Sequence, residues 1–139
     1  MPALHVDHFT ILTDQLAATQ AFYERFGFVV GARPEMLAAG RWLYLGPQAA
    51  LHLVEVPELP VQRKGVLDHM AFRAQGLAET CATLKALGLR YSLQRFPAPT
   101  GDWQLFFKDP NGATVEFDFE GHETDLPAAQ SAPEAQINR

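Results

Sequence analysis

The sequence predicts an α+β protein built from two tandem βαβββ modules, with a concave sheet face and the helices outside. Three observations predict this: apolar runs with a period of two, two amphipathic stretches bracketed by turn residues, and an ungapped internal repeat. The 139 residues suit one domain over 1–120, with modules at 4–56 and 66–119 and a Pro-rich, charged linker at 57–65.

In order, residues 4–12 (LHVDHFTIL) alternate and carry β-branched and aromatic side chains, as a strand does. Residues 14–26 place Leu16, Ala17, Phe22, Tyr23 and Phe26 on one helical stripe, with Asp14 as expected N-cap and Gly27 as C′ residue. GFVVGAR is a second strand and PEMLAAG breaks it. RWLYLG and AALHLVEV are two more, joined across GPQ. The order then recurs: VLDHMAFRA as strand, LAETCATLKAL as helix ending at Gly88, LRYSLQ as strand, and WQLFFKD and ATVEFDF paired across PNG. The tail 121–139, polar and rich in Ala and Pro, is expected to be loosely ordered.

A shift of 61 residues superimposes Asp7 on Asp68, His8 on His69, Leu16 on Leu77, Ala17 on Ala78, Thr19 on Thr80, Ala21 on Ala82, Gly27 on Gly88 and Trp42 on Trp103. Matches of His and Trp are rare by chance, so the eight identities indicate a duplicated unit. Aligning the last strands sets His52 opposite Glu116 at an offset of 64, with the three extra residues assigned to the KDPNG turn.

Alternation then sorts the faces. His8 falls with Val6, Thr10 and Leu12, and His69 with Leu67, Ala71 and Arg73. His52 falls with Ala50 and Val54, and Glu116 with Thr114 and Asp118. In each strand the bulkier apolar set lies on the opposite face, under a helix. The concave face therefore carries three imidazoles and a carboxylate, His8, His52, His69 and Glu116. Such a set suits one divalent metal ion, Zn, Ni, Fe or Mn. A lone strand histidine is more often a hydrogen-bonded core or surface residue than a ligand; repetition at related positions favours ligands here.

Other candidates have plainer readings. His5 is structural or exposed, His122 solvated, and Glu55 solvent-facing, while Trp42 and Trp103 pack in the core. Asp7 and Asp68 end a strand or orient the adjacent imidazole. Arg73, two residues past His69 on the same face, is placed either to bind a substrate carboxylate or in a surface salt bridge. Cys81 reads as a small buried hydrophobe in a helix, without an activating charge beside it.

Composition narrows the partners. A net charge of −5 lacks the basic face that grips phosphates, so no nucleic-acid partner is expected. No apolar run reaches a membrane span, the N-terminus lacks the features of a signal peptide, and a single cysteine fits a reducing compartment; a cytoplasmic location without membrane partners is expected.

The segments VDHFTIL, AFYERFGFVV, LHLVEV, LDHMAFRA and QLFFKDPNGATVEF resemble the vicinal oxygen chelate superfamily, the glyoxalase, bleomycin-resistance and extradiol-dioxygenase group. The resemblance spans residues 4–119. It implies paired βαβββ modules forming an open, barrel-like mixed sheet with a concave metal-binding face, a metal chelating two neighbouring oxygens of a small molecule, and a homodimer. By position, His8, His69 and Glu116 match the group's ligands. His52 occupies the fourth ligand position, where glyoxalase I-like members carry Glu and epimerase-like members Gln. The expected function is a divalent-metal-dependent, glyoxalase-like lyase or isomerase acting on a small vicinally oxygenated substrate through enediolate-type chemistry, with Glu116 as its catalytic base. The alternatives are an Fe(II) dioxygenase-like member and a non-enzymatic module that sequesters a small molecule or metal.

Overall fold

The computed structural model describes residues 2–123 and divides the chain into two compact units, one ending at Arg63 and one starting at Lys64. Each has the order βαβββ, so the expected α+β architecture with a repeated module is what the chain forms.

In the first unit, β1 (Phe9–Thr13), β2 (Val29–Gly31), β3 (Gly40–Leu45) and β4 (Gln48–Glu55) form a mixed sheet in the order β1-β4-β3-β2, with α1 (Leu16–Glu24) after the first strand. β1 runs parallel to β4, and β3 is antiparallel to both of its neighbours. In the second unit, β5 (Met70–Arg73), α2 (Leu77–Ala86), β6 (Tyr91–Arg95), β7 (Trp103–Lys108) and β8 (Thr114–Phe119) repeat the plan in the order β5-β8-β7-β6. Neither sheet closes on itself. Among the described residues, no helix is long and apolar enough to cross a membrane.

Alternation decides which side chains are buried. Leu43, Leu51 and Leu53 are fully buried in the first unit with Tyr23, and Leu105, Phe107, Val115 and Phe119 in the second with Leu77 and Leu84. Cys81 is buried among them, and burial pushes its thiol pKa up, so it behaves as a hydrophobe. Both helices end alike. Phe28 N donates to Tyr23 O and Gly27 N to Glu24 O. In the second copy, Leu89 N donates to Leu84 O and Gly88 N to Lys85 O. Gly27 and Gly88 take φ of 89° and 68°, the left-handed C′ position for which glycine is suited.

The first strands of both modules are shorter than expected. β1 starts at Phe9 and β5 at Met70, so His8 and His69 each stand on the residue just before the ladder. Before β1, the Gln48 side chain takes over from backbone pairing: its Nε2 donates to Val6 O at 3.1 Å and to Asp7 O at 2.5 Å. Asp14 does not cap α1. Gln15 is the N-cap, and the hydroxyl of buried Thr13 accepts from Gln15 N at 3.0 Å while bonding the Thr19 hydroxyl at 2.9 Å. At α2, where Gly76 is the N-cap, Glu123 Oε2 accepts from Gly76 N and Leu77 N at 2.9 and 2.7 Å. That carboxylate satisfies two unpaired donors at the positive end of the helix. The rest of the expected tail, 124–139, lies outside the described residues.

Strand register dates the three extra residues to a different place. Thr10 pairs with His52 and Ala71 with Glu116, so the first strands correspond at an offset of 61 and the last at 64, as expected. Trp42 pairs with His52, whereas Phe106 pairs with Glu116, so β3 and β7 already correspond at 64. Val29 pairs with Tyr44 and Tyr91 with Phe107, which keeps β2 and β6 at 61. The insertion therefore precedes β7 and lengthens the β6–β7 hairpin; the KDPNG turn holds no extra residues. The counterpart of Trp42 is Phe106, and the match with Trp103 is accidental.

Gly40 illustrates how tightly β3 meets β4. A Cβ there would lie 2.2 Å from the backbone oxygen of Leu53. Gly40→Ala is expected to lower unfolding free energy by about 1–3 kcal/mol, as overpacking against unyielding backbone does. Urea denaturation of the two proteins checks this.

Candidate metal site

In the first unit the stretch before β1 and the middle of β4 bring His8 and His52 together. Their rings stack with centroids 3.7 Å apart and planes 13° from parallel. Trp42 stacks on the other face of His52 at 4.1 Å and 9°. Trp42 is thus half-buried beside the histidine rather than in the core. His8 Nδ1 donates to Asp7 Oδ2 at 2.6 Å, and this bond holds the exposed Asp7 carboxyl below its usual pKa. An Nδ1–H that points to a carboxylate leaves Nε2 as the nitrogen with a free lone pair. Burial, then the neighbouring His8, push the pKa of His52 down and favour the neutral imidazole. That is the form able to ligate.

The second unit repeats the device with a carboxylate in place of the second imidazole. His69 Nδ1 donates to Asp68 Oδ2 at 2.8 Å, and its Nε2 lies 2.7 Å from Glu116 Oε2. Asp68 also meets Lys64 Nζ at 3.2 Å, and its two partners, His69 first, hold its carboxyl low. Phe106 meets the His69 ring edge-on at 5.5 Å. Glu116 is only 3% exposed, and its other oxygen, Oε1, accepts from Gln104 Nε2 at 2.5 Å.

Asp118 is the next residue on the Glu116 face. Its Oδ1 is buried without a hydrogen-bond partner, and burial followed by the neighbouring Glu116 raise its pKa to about 6. Gln104 and Asp118 carry no motif of their own and escape sequence reasoning. Their only signal is polar character inside an otherwise apolar hairpin, at positions paired across β7 and β8.

Imidazole and carboxylate donors of this kind are the types that suit a divalent metal. The 2.7 Å contact between His69 Nε2 and Glu116 Oε2 needs one proton between the two atoms, and a cation can take that proton's place. Asp7 and Asp68 stand behind the two imidazoles as carboxylates do behind metal-bound histidines. Among the described residues, no group of three or more His, Cys, Asp or Glu side chains is gathered to hold a metal ion. The first unit pairs His8 with His52, and the second pairs His69 with Glu116.

Arg73 is exposed and pairs with Asp102, Nη1 to Oδ2 at 2.8 Å. Both line an open groove of about 680 Å³ in the second unit, with Arg95, Glu120 and His122. Arg95 sits 4.3 Å over the Trp103 ring. His122, exposed as expected, meets Glu120 at 3.1 Å.

Comparison with known proteins places this geometry. No curated protein matches the sequence. Among solved structures, a glyoxalase family protein from Enterococcus faecalis is 29% identical, with a TM-score of 0.62 over 82% of this chain and 96% of its own. Lactoylglutathione lyase from Agrobacterium tumefaciens is 22% identical, with a TM-score of 0.60 over 89% and 99%. A genomically encoded fosfomycin resistance protein, FosX, from Listeria monocytogenes is 21% identical, with a TM-score of 0.63 over 87% and 92%. The family model for the Glyoxalase/Bleomycin resistance protein/Dioxygenase superfamily matches residues 5–117. With that match over most of its length, and with a βαβββ unit repeated about paired ligand-type side chains, the chain belongs to the glyoxalase, bleomycin resistance and dioxygenase superfamily.

Proposed function

We propose that this protein is a divalent-metal-dependent, glyoxalase-like lyase or isomerase acting on a small substrate with two neighbouring oxygens. The observation that carries the reading is the buried Glu116 carboxylate against His69 Nε2, with Asp68 behind the ring. Superfamily members typically use a divalent metal, bind small-molecule substrates and often form dimers. In this reading His8, His52, His69 and Glu116 hold the ion, and the protein works as a cytoplasmic homodimer. The bound metal supplies Lewis-acid stabilisation of negative charge developing on the substrate oxygens.

The chain's own residues do the rest. Glu116 is the only carboxylate in the ligand set, so its carboxylate, once released from the ion, is the group that would take the substrate proton and return it. Its burial excludes bulk water from that transfer. Asp7 and Asp68 hold His8 and His69 in the Nδ1–H tautomer. Trp42 and His8 clamp the plane of His52 between them. Arg73, at the groove, binds a substrate carboxylate by exchanging its Asp102 partner.

Metal analysis of the purified protein, together with turnover of a 2-oxoaldehyde hemithioacetal, tests the reading. Zn or Ni with turnover supports it; tightly bound Fe(II) with dioxygen uptake would replace it with the oxygenase alternative. His52→Glu provides a carboxylate at the fourth position and is expected to keep the metal while raising hemithioacetal turnover. By contrast, His52→Ala is expected to weaken metal binding at least about tenfold. Unchanged metal affinity in His52→Ala, read by calorimetric titration, would remove His52 from the ligand set.

A further inference from the structure

We infer that Gln104 and Gln94 are positioning residues that fix the orientation of the Glu116 carboxylate for the metal. The inference deepens the site proposed above and rests on it.

Glu116 is buried: Oε2 faces His69 Nε2 at 2.7 Å, Oε1 accepts from Gln104 Nε2 at 2.5 Å, and the Asp118 carboxyl also interacts with it. The amide N–H on Oε1 fixes the rotation of the carboxylate, so that Oε2 stays turned toward His69. Gln104 could serve this way only with its NH2 group directed at Glu116. A free amide would have two orientations, since its oxygen and nitrogen exchange on a half-turn. Glu116, which only accepts, selects one of them, and Gln94 supports it. Its Nε2 donates to Gln104 Oε1 at 3.0 Å, so a flipped Gln104 would face donor to donor on one side and oxygen to carboxylate on the other. The bonds run across β6, β7 and β8 to His69, just before β5, and on to Asp68 and Lys64, a continuous chain Gln94–Gln104–Glu116–His69–Asp68–Lys64.

The device belongs to one module only. Gln94 and Gln104 pair within the stretch of hairpin that the extra residues lengthen. At the β3–β7 offset of 64, the counterpart of Gln104 is Gly40, where even a Cβ would collide with the Leu53 oxygen. The first module therefore has no side chain at that position to restrain His52. An imidazole has a single lone pair to present once its other nitrogen is engaged, whereas a carboxylate has four positions on two oxygens. The restraint is built where the ligand is the ambiguous one.

Zn2+ alone, titrated into the metal-free full-length protein, tests the inference with Gln104→Leu, Gln94→Leu and the double variant. Near-UV circular dichroism and the melting midpoint confirm that each is folded, and Gln94→Leu, at the exposed end of the chain of bonds, keeps the test open if Gln104→Leu does not fold. Gln104→Leu is expected to weaken Zn2+ binding about 10- to 100-fold, the usual effect of removing a partner that orients a ligand. Gln94→Leu is expected to weaken it by a smaller factor, and the double variant to match Gln104→Leu within about twofold, because Gln94 acts only through Gln104. Binding by Gln104→Leu within about twofold of the parent would overturn the inference, as would additive effects of the two substitutions. If Gln94→Leu alone is available, unchanged affinity overturns it. A parent protein that takes up no Zn2+ would remove the metal reading and this role with it, whereas normal uptake with indifferent variants would remove this role alone.

Discussion

Glu116→Gln is expected to lower hemithioacetal turnover about 10²- to 10⁴-fold at saturating metal, the range over which a positioned proton-transfer group acts. The substitution keeps the size of the side chain and changes two things. An amide carbonyl still ligates, but it is neutral, so metal affinity should fall about 10- to 100-fold while full loading stays reachable at high metal concentration. The amide has no usable basicity, so the lost rate should persist after loading is restored. The partners of Glu116 sharpen the contrast. Gln104 donates to Oε1, and the amide oxygen can accept that bond, but the nitrogen then faces His69 Nε2, where the contact at present joins a carboxylate to an imidazole. Comparing kcat at metal saturation with the metal Kd separates the two roles. A loss of rate that recovers completely with added metal would make Glu116 a ligand without a part in proton transfer. A rate independent of the substitution would remove it from the reaction.

Much of this site was legible because it occurs twice. An Asp-His pair before each first strand is a weak sign alone and an informative one when repeated 61 residues later. Alternation then picked His52 over Glu55 and Glu116 over its apolar neighbours, and strand register confirms that His52 and Glu116 are counterparts. The same method misplaced the insertion. Trp42 and Trp103 are identical at the shift of 61, and one rare identity drew the alignment past the point where the offset had changed. Only pairing across the ladder shows that Phe106 stands in for Trp42. The helix starts misled for a different reason. Asp14 is a strong N-cap residue by type, yet the Thr13 hydroxyl, fixed by buried Thr19, already accepts the first free amide. Gln94 and Gln104 had no sequence signal at all. An amide has no preferred partner until the sheet decides which side chains lie across from it, so their role is a property of the β6–β7 register.

The duplicated core makes the largest stability effects predictable in pairs. Phe107 and Leu43 are counterparts at the β3–β7 offset, and both are fully buried. Leu43 pairs with Leu51 across β4, and Phe107 pairs with Val115 across β8. Phe107 also meets the Phe117 ring edge-on at 5.0 Å, a contact of the kind aromatic pairs favour. Phe107→Ala should therefore cost about 3–5 kcal/mol of unfolding free energy and Leu43→Ala about 2–5 kcal/mol, the transfer loss plus the cavity left behind. Their strand partners differ, Leu51 for Leu43 and Val115 for Phe107, so the double variant should lose the sum of the single effects. Chemical denaturation followed by tryptophan fluorescence measures all three. Trp42 reports from the β3 that carries Leu43, and Trp103 from the β7 that carries Phe107. A loss below about 1 kcal/mol in Phe107→Ala would mean that the second sheet collapses around the gap and that its aromatic cluster is not close-packed. Loss of Zn2+ affinity in Phe107→Ala, at a denaturant concentration where the protein stays folded, is not expected. Phe107 faces the core side of β7, opposite the face on which its neighbour Phe106 meets His69.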